Sequence, residues 1–219
     1  MDLTSKEALI IEKLNNLSSI TFHNCYLSTE FCSSFPSINN LSEIGIYKSK
    51  VSPGSMSALL RCTPGLTTLF ISEYNHTTEL LKNAQSLPLE SLGLISCSLD
   101  QDTLSLISKI KTLKHLDLTD NKLLFRSFKF LATLPKLWGL NLLDTKFSPN
   151  ELSDLSTSKS LNVIWIRGQK ITTSDLESLF SIRTLKQITA VLPTKEPHPK
   201  THKDVKVNII RYDYDTIPE

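Results

Sequence analysis

Residues 113–123 read LKHLDLTDNKL. Leu116 and Leu118 are two apart, which puts both on one face of a short strand and leaves Asp117 and Thr119 on the other. Asn121 stands where the chain must turn away, and a small polar side chain there can bond the backbone groups that a turn sets free. Leu123 then restores the apolar side. The same spelling returns along most of the chain. Leu17, Leu41, Leu66, Leu89, Leu113, Leu137, Leu161 and Leu185 head successive copies, spaced 24, 25, 23, 24, 24, 24 and 24 residues. A period of this size marks a stacked repeat protein, in which no unit can bury its own apolar face without its neighbours.

With the first leucine of each unit as position 0, positions 3 and 5 are apolar in every copy: Ile20 and Phe22, Ile44 and Ile46, Leu69 and Ile71, and so on to Ile164 and Ile166. Position 8 holds Cys25, Ser49, Tyr74, Cys97, Asn121, Thr145 and Gln169. Position 10 is apolar except at His76. The later half of each unit changes rhythm. Phe128, Leu131 and Leu134, or Leu176, Leu179 and Ile182, stand at three-residue steps, the spacing of one face of a helical turn. Ser148-Pro149 and Ser174-Asp175 precede such turns as helix starts do. Each unit is therefore expected to be strand, turn and short helix.

The pattern resembles the leucine-rich repeat family over about residues 8–192, and the 24-residue length with a helical return is most similar to its GALA and ribonuclease-inhibitor-like classes. The sixth unit, LWGLNLLDTKFSPNELSDLSTSKS, shows it best. The resemblance implies an α/β solenoid in a horseshoe arc, with a parallel concave sheet, short convex helices and about seven full repeats plus caps. The third unit, short by one residue and carrying Tyr74 and His76, is expected to be locally irregular. Residues 1–16 place Ala8, Ile11 and Leu14 where a preceding unit would have its helix, with Thr4 and Glu7 at capping-box spacing, so they read as a capping half repeat. Residues 17–192 are the repeats. Residues 193–219 are a polar loop followed by a capping strand and tail, in which Val205, Val207 and Ile209 alternate; the strand is expected to close the open end as a hairpin.

Composition excludes several classes. The 219 residues are 40% apolar with a net charge of +2, so bulk charge favours neither nucleic acid nor disorder. No 18-residue apolar run exists, and the first residues lack the basic and apolar regions of a secretory signal. Cys25, Cys32, Cys62 and Cys97 fall at interior positions without metal-ligand spacing, and leucine-rich repeats of extracellular type carry cysteine-rich caps that are missing here. A reduced, cytosolic protein is expected.

Catalytic signatures are sparse. No Gly-rich phosphate loop, GxSxG, HExxH or CxxC occurs. His115, Asp117 and Asp120 share a strand but read as solvated polar residues, with no nucleophile placed beside them. His198 and His202 would need a helix to share a metal, and Pro197 and Pro199 oppose one. The GTPase-activating members of the family use an arginine near the start of the solenoid; residues 1–41 contain none. Neither enzyme activity, metal nor cofactor is expected.

A partner would meet the outward strand positions. Position 4 holds Phe70, Asp117, Asn141 and Trp165 among others, and position 6 holds Tyr47, Leu143 and Arg167. Trp138 stands at position 1. Trp138, Leu143, Val163, Trp165 and Arg167, with Asn141 among them and Asp117, Asp120 and Asp144 as an acidic margin, have the composition of a binding hot spot. Tyr47 and Phe70 form a second patch. Lys129, Lys136, Lys159 and Lys170 read as a solvated convex face rather than a basic stripe. The function expected is thus a non-catalytic protein-binding module, with neither nucleic acid nor membrane as partner and a homodimer as one option. The GALA resemblance implies a bacterial effector, delivered without a cleaved signal into the host cytoplasm, with residues 211–219 as a transport signal. The alternative is a substrate adaptor for a ubiquitin ligase, although the F-box of GALA relatives has no room within residues 1–16.

Overall fold

The computed structural model describes residues 2–14, 16–123, 127–167, 171–200 and 202–212, and the chain divides into two compact units, Met1–Ser98 and Leu99–Glu219. Gln169, Lys170 and the tail beyond Tyr212 lie outside the described residues.

In the first unit the strands Ser19–His23, Glu43–Tyr47, Thr68–Ser72 and Ser91–Ile95 run parallel. Equivalent repeat positions pair: Ile20 with Ile44, Ile44 with Leu69, and Leu69 with Leu92. Ile44, Leu69 and Leu92 are fully buried at position 3, as are Ile46, Ile71 and Leu94 at position 5. Helices Thr29–Ser33, Pro53–Arg61 and Thr77–Ala84 return the chain. Ser28 and Ser52 cap the first two by accepting from the Phe31 and Ser55 amides, while His76 supplies no such bond to the third. That repeat is irregular as expected: Tyr74 is buried, and its hydroxyl has no hydrogen-bond partner among the described residues.

The N-terminal residues differ in detail from the expectation. The capping box forms, with the Thr4 amide donating to Glu7 Oε2 over 2.7 Å, and Ala8 is buried. Leu14 is 48% exposed, so it does not serve as core. Instead Asp2–Leu3 forms a short parallel ladder with Tyr26–Leu27 and Lys50–Val51. This adds Leu3 to the buried position-10 column of Leu27 and Val51, so the half repeat begins before its helix.

In the second unit the strands His115–Asp117, Gly139–Leu143, Val163–Arg167, Gln187–Pro193 and Lys206–Tyr212 are parallel, with Leu116, Leu140, Ile164, Ile188 and Val207 in one register. Helices Gln101–Ile107, Ser127–Ala132, the 3-10 helix Pro149–Thr157 and helix Thr173–Ser178 pack one against the next in chain order. The expected terminal hairpin is corrected: Lys206–Tyr212 runs parallel to its neighbour. A parallel return needs a crossover, and, among the described residues, 194–200 and 202–205 hold no helix to provide it. The connection is tied to the preceding helix by Thr173, whose amide donates to Glu196 Oε2 over 3.1 Å and whose hydroxyl donates to the Pro197 carbonyl over 2.5 Å, and by the Lys200 amide donating to Glu177.

Both units end their strands with one device. Asn24, Lys48, Glu73, Ser96, Asp120 and Asp144 all have φ between 48° and 58°. Every one of them stands at position 7, where the left-handed conformation reverses the chain. The next side chain then bonds backward. Thr145 Oγ1 donates to the Leu118 carbonyl of the preceding repeat over 2.8 Å, and Asn121 Nδ2 donates to Leu118 and Thr119 carbonyls over 2.8 and 3.0 Å. Ser49 and Cys97 make weaker versions of this bond in the first unit.

Candidate functional site

On the outward strand face of the second unit, aromatic rings gather around a glycine. Gly139 faces outward at position 2, and a Cβ there would stand 3.0 Å from His115 Nδ1 and 3.4 Å from the Trp165 ring. The missing side chain lets both rings lie low against the sheet. His115 meets Trp138 edge to face at 5.5 Å. Trp138 is 45% exposed and Trp165 half-buried. The backbone beneath is fixed: the Trp138 and Gly139 amides donate to the Lys114 carbonyl over 2.7 and 2.9 Å, and the Asn162 and Val163 amides to that of Trp138. A shallow groove of about 550 Å³ opens beside Trp138, lined by Lys114, His115, Lys136 and Trp138.

The expected site residues fall into three groups. Trp138, Trp165, Leu143 and Arg167 reach solvent. Val163 does not: it is 7% exposed between Gly139 and Gln187, and its place among the contact residues is corrected. A β-branched side chain held between two neighbouring strands is covered even on the outward face. The polar residues are committed to one another. Asp117 Oδ1 accepts from the Thr119 amide and hydroxyl over 2.9 and 2.6 Å, and its Oδ2 accepts from Asn141 over 3.1 Å. Asn141 Oδ1 accepts in turn from the Leu143 amide. Arg167 grips Asp144 with Nε and Nη2, a two-point contact that raises its pKa further. Both side chains are about half exposed. Asp120 and Asp144 carry the left-handed turns, so the acidic margin is first a set of strand terminators.

The second patch lies wholly in the first unit. Tyr47 stacks on His23 at 5.0 Å, and a Cβ on Gly45 would stand 2.8 Å from the Tyr47 ring. A Cβ on Gly93 would fall 2.2 Å from the Phe70 ring. Phe70 and Tyr47 are both half-buried, spending their apolar area on glycine seats.

The residues weighed for chemistry are engaged otherwise. His115 sits on Trp138, and Asp117 is a turn acceptor. His202 packs on the Phe180 ring at 5.0 Å, and His198 Nδ1 lies 3.1 Å from the Pro199 carbonyl. Burial pushes the Cys32 thiol up to about 12 and the Cys97 thiol up to about 11, far from reactive thiolates. Among the described residues no helix is long and apolar enough to cross a membrane.

Sequence reading missed Lys114 and Lys136 beside Trp138. The signal is in the sequence: both stand within one residue of a position-0 leucine, which sets Lys136 apart from the helical face of its repeat.

No family model matches the chain, and no curated protein matches it. Among solved structures, the chain is similar to an internalin (inlF) from Listeria monocytogenes at 16% identity and a TM-score of 0.43. The likeness covers 86% of this chain and 63% of that one, so this chain spans less than two thirds of its length.

Proposed function

We propose that this chain is a non-catalytic protein-binding module of leucine-rich repeat type, engaging a protein partner through the outward strand face of its second unit. The observation that carries the reading is Trp138, 45% exposed yet held against His115 on a hydrogen-bonded strand ladder. A rigid aromatic ring is an effective anchor, because little side-chain entropy is left to lose on binding. Trp165 and Leu143 extend the apolar area, and the Arg167–Asp144 pair borders it.

The setting we propose is a reducing cytosol, supported by four free cysteines of which Cys32 and Cys97 are buried. A role as an effector acting on a host protein rests on the GALA resemblance of the repeats. Capture from eukaryotic lysate, quantified by mass spectrometry, tests the module. A partner held by the wild type and lost by a Trp165→Ala, Arg167→Glu variant of unchanged circular dichroism is the expected result; equal retention by both would overturn the assignment of this face. Detection of the protein inside host cells during infection tests the effector role, which retention within bacteria would exclude.

A further inference from the structure

The second unit has a charged edge that the outward face does not explain. The connecting residues ahead of its strands and the residue at position 1 bring Lys111, Lys114, Lys136, Lys159, Arg183 and Lys186 to the leading edge of the sheet. All six are exposed. No acidic residue occupies these positions in the second unit, and the corresponding positions of the first unit hold no basic one. Successive strands are about 4.8 Å apart, so four repeats align these cations along about 14 Å. Trp138 interrupts the row, and the groove of about 550 Å³ at its side is lined by Lys114 and Lys136 together with the indole and the His115 ring.

We infer that this rim docks an acidic peptide segment of the protein partner, extended across the strand starts, with one apolar side chain in the groove against Trp138 and carboxylates toward the lysines on either side. The inference rests on the binding-module reading and deepens it by naming the partner's chemistry. An extended chain rises about 3.3 Å per residue, so a segment of roughly five residues spans the row. The rim is pre-organised, since each position-1 carbonyl from Lys114 through Asn162 accepts two amides of the next repeat. Two features favour a peptide over single-stranded nucleic acid. A strand of bases needs successive stacking platforms, and this rim offers one exposed indole. Five of the six cations are lysines, point charges suited to carboxylates, rather than the arginine forks that grip phosphate at two points.

The test uses the full chain and fluorescence anisotropy. The probes are a labelled 12-residue peptide alternating Glu with Leu and Phe, its Glu→Gln counterpart, and a labelled oligothymidylate. The acidic peptide is expected to bind, more weakly as salt rises, and the neutral counterpart to bind at least about tenfold more weakly. Trp138→Ala and the triple variant Lys114→Glu, Lys136→Glu, Lys159→Glu should each lose at least about tenfold in affinity. Lys82→Glu, on a first-unit helix, should change nothing. Surface substitutions at exposed positions leave folding intact, which circular dichroism checks. Absence of acidic-peptide binding, equal binding by the triple variant, or tighter binding of oligothymidylate would each overturn the inference. If the peptide fails while lysate capture still depends on Trp165 and Arg167, the rim is wrong and the module stands; if both fail, both readings fall.

Discussion

In the first unit the residue just ahead of each strand is Ser18, Ser42, Thr67 or Glu90; in the second it is Lys114, Trp138, Asn162 or Lys186. The backbone at three of these sites in each unit is the same. The Ser18, Ser42 and Thr67 carbonyls each accept two amides from the following repeat, as those of Lys114, Trp138 and Asn162 do. Hydrogen bonding therefore sets no demand on the side chain, and what each unit displays there is free to differ. One unit shows three small hydroxyls and an acid, and the other a rim of two lysines, an asparagine and an indole. Backbone order and surface chemistry are separable in this fold, so the functional reading rests on the half that departs from blandness.

The largest test of the comparison concerns what the units share. Phe31 and Phe128 are fully buried in the returning helices, at positions 14 and 15 of their repeats, and both meet aromatic neighbours edge to face. Replacing either with Ala should cost roughly 3–5 kcal/mol in urea unfolding. Phe31 contacts two rings, Phe22 at 5.6 Å and Phe35 at 5.7 Å, whereas Phe128 meets Phe147 at 5.1 Å. Phe31→Ala should thus be the worse by about 0.5–1.5 kcal/mol; the reverse order would mean that the second unit relies more on its aromatic pair.

Next come the glycine seats. Gly93→Ala drives a methyl into the Phe70 ring and should destabilise by about 1–3 kcal/mol. Gly139→Ala asks only a few tenths of an ångström from His115, and about 0.5–1 kcal/mol of regained backbone entropy offsets it. Thermal unfolding that finds the two equal would show that the Phe70 ring swings away freely. The left-handed turns give a smaller contrast. Glu73 is poorly suited to positive φ, while Asp120 tolerates it. Glu73→Gly should stabilise by up to about 1 kcal/mol and Asp120→Gly by less, as read from the urea midpoint. The smallest effect belongs to Arg167 and Asp144. Their half-exposed pair should show a coupling of about 0.2–1 kcal/mol in a double-mutant cycle, and about 1 M salt should erase most of it.

Legibility followed the repeat. Positions 0, 3, 5 and 10 could be read because burial allows only apolar residues there, and the parallel register of Leu116, Leu140 and Ile164 follows from their equal spacing. Position 7 escaped because Asn24, Lys48, Glu73 and Asp120 share a conformation without sharing a residue type. Tyr74 was flagged by its misfit in the column, although its orphaned hydroxyl is a tertiary fact. Val163 was assigned to the surface by alternation alone, which takes no account of cover from flanking strands. The terminal hairpin was inferred from a strand following a loop; the contacts of Thr173 and Glu177 with that loop, which make it a crossover, are long-range. Trp138 was legible as an unusual tryptophan, but Lys111, Lys136, Lys159 and Arg183 form a row only when aligned by repeat position rather than read along the chain.

The paired amides that the Lys114, Trp138 and Asn162 carbonyls accept make length a variable independent of chemistry. Adding or deleting one 24-residue unit within the second unit would move everything after it by a single strand spacing, about 4.8 Å, and leave the neighbouring rows intact. A lineage built on such a ladder can extend or shorten its grip on a partner in fixed increments, trading whole rows instead of repairing a core.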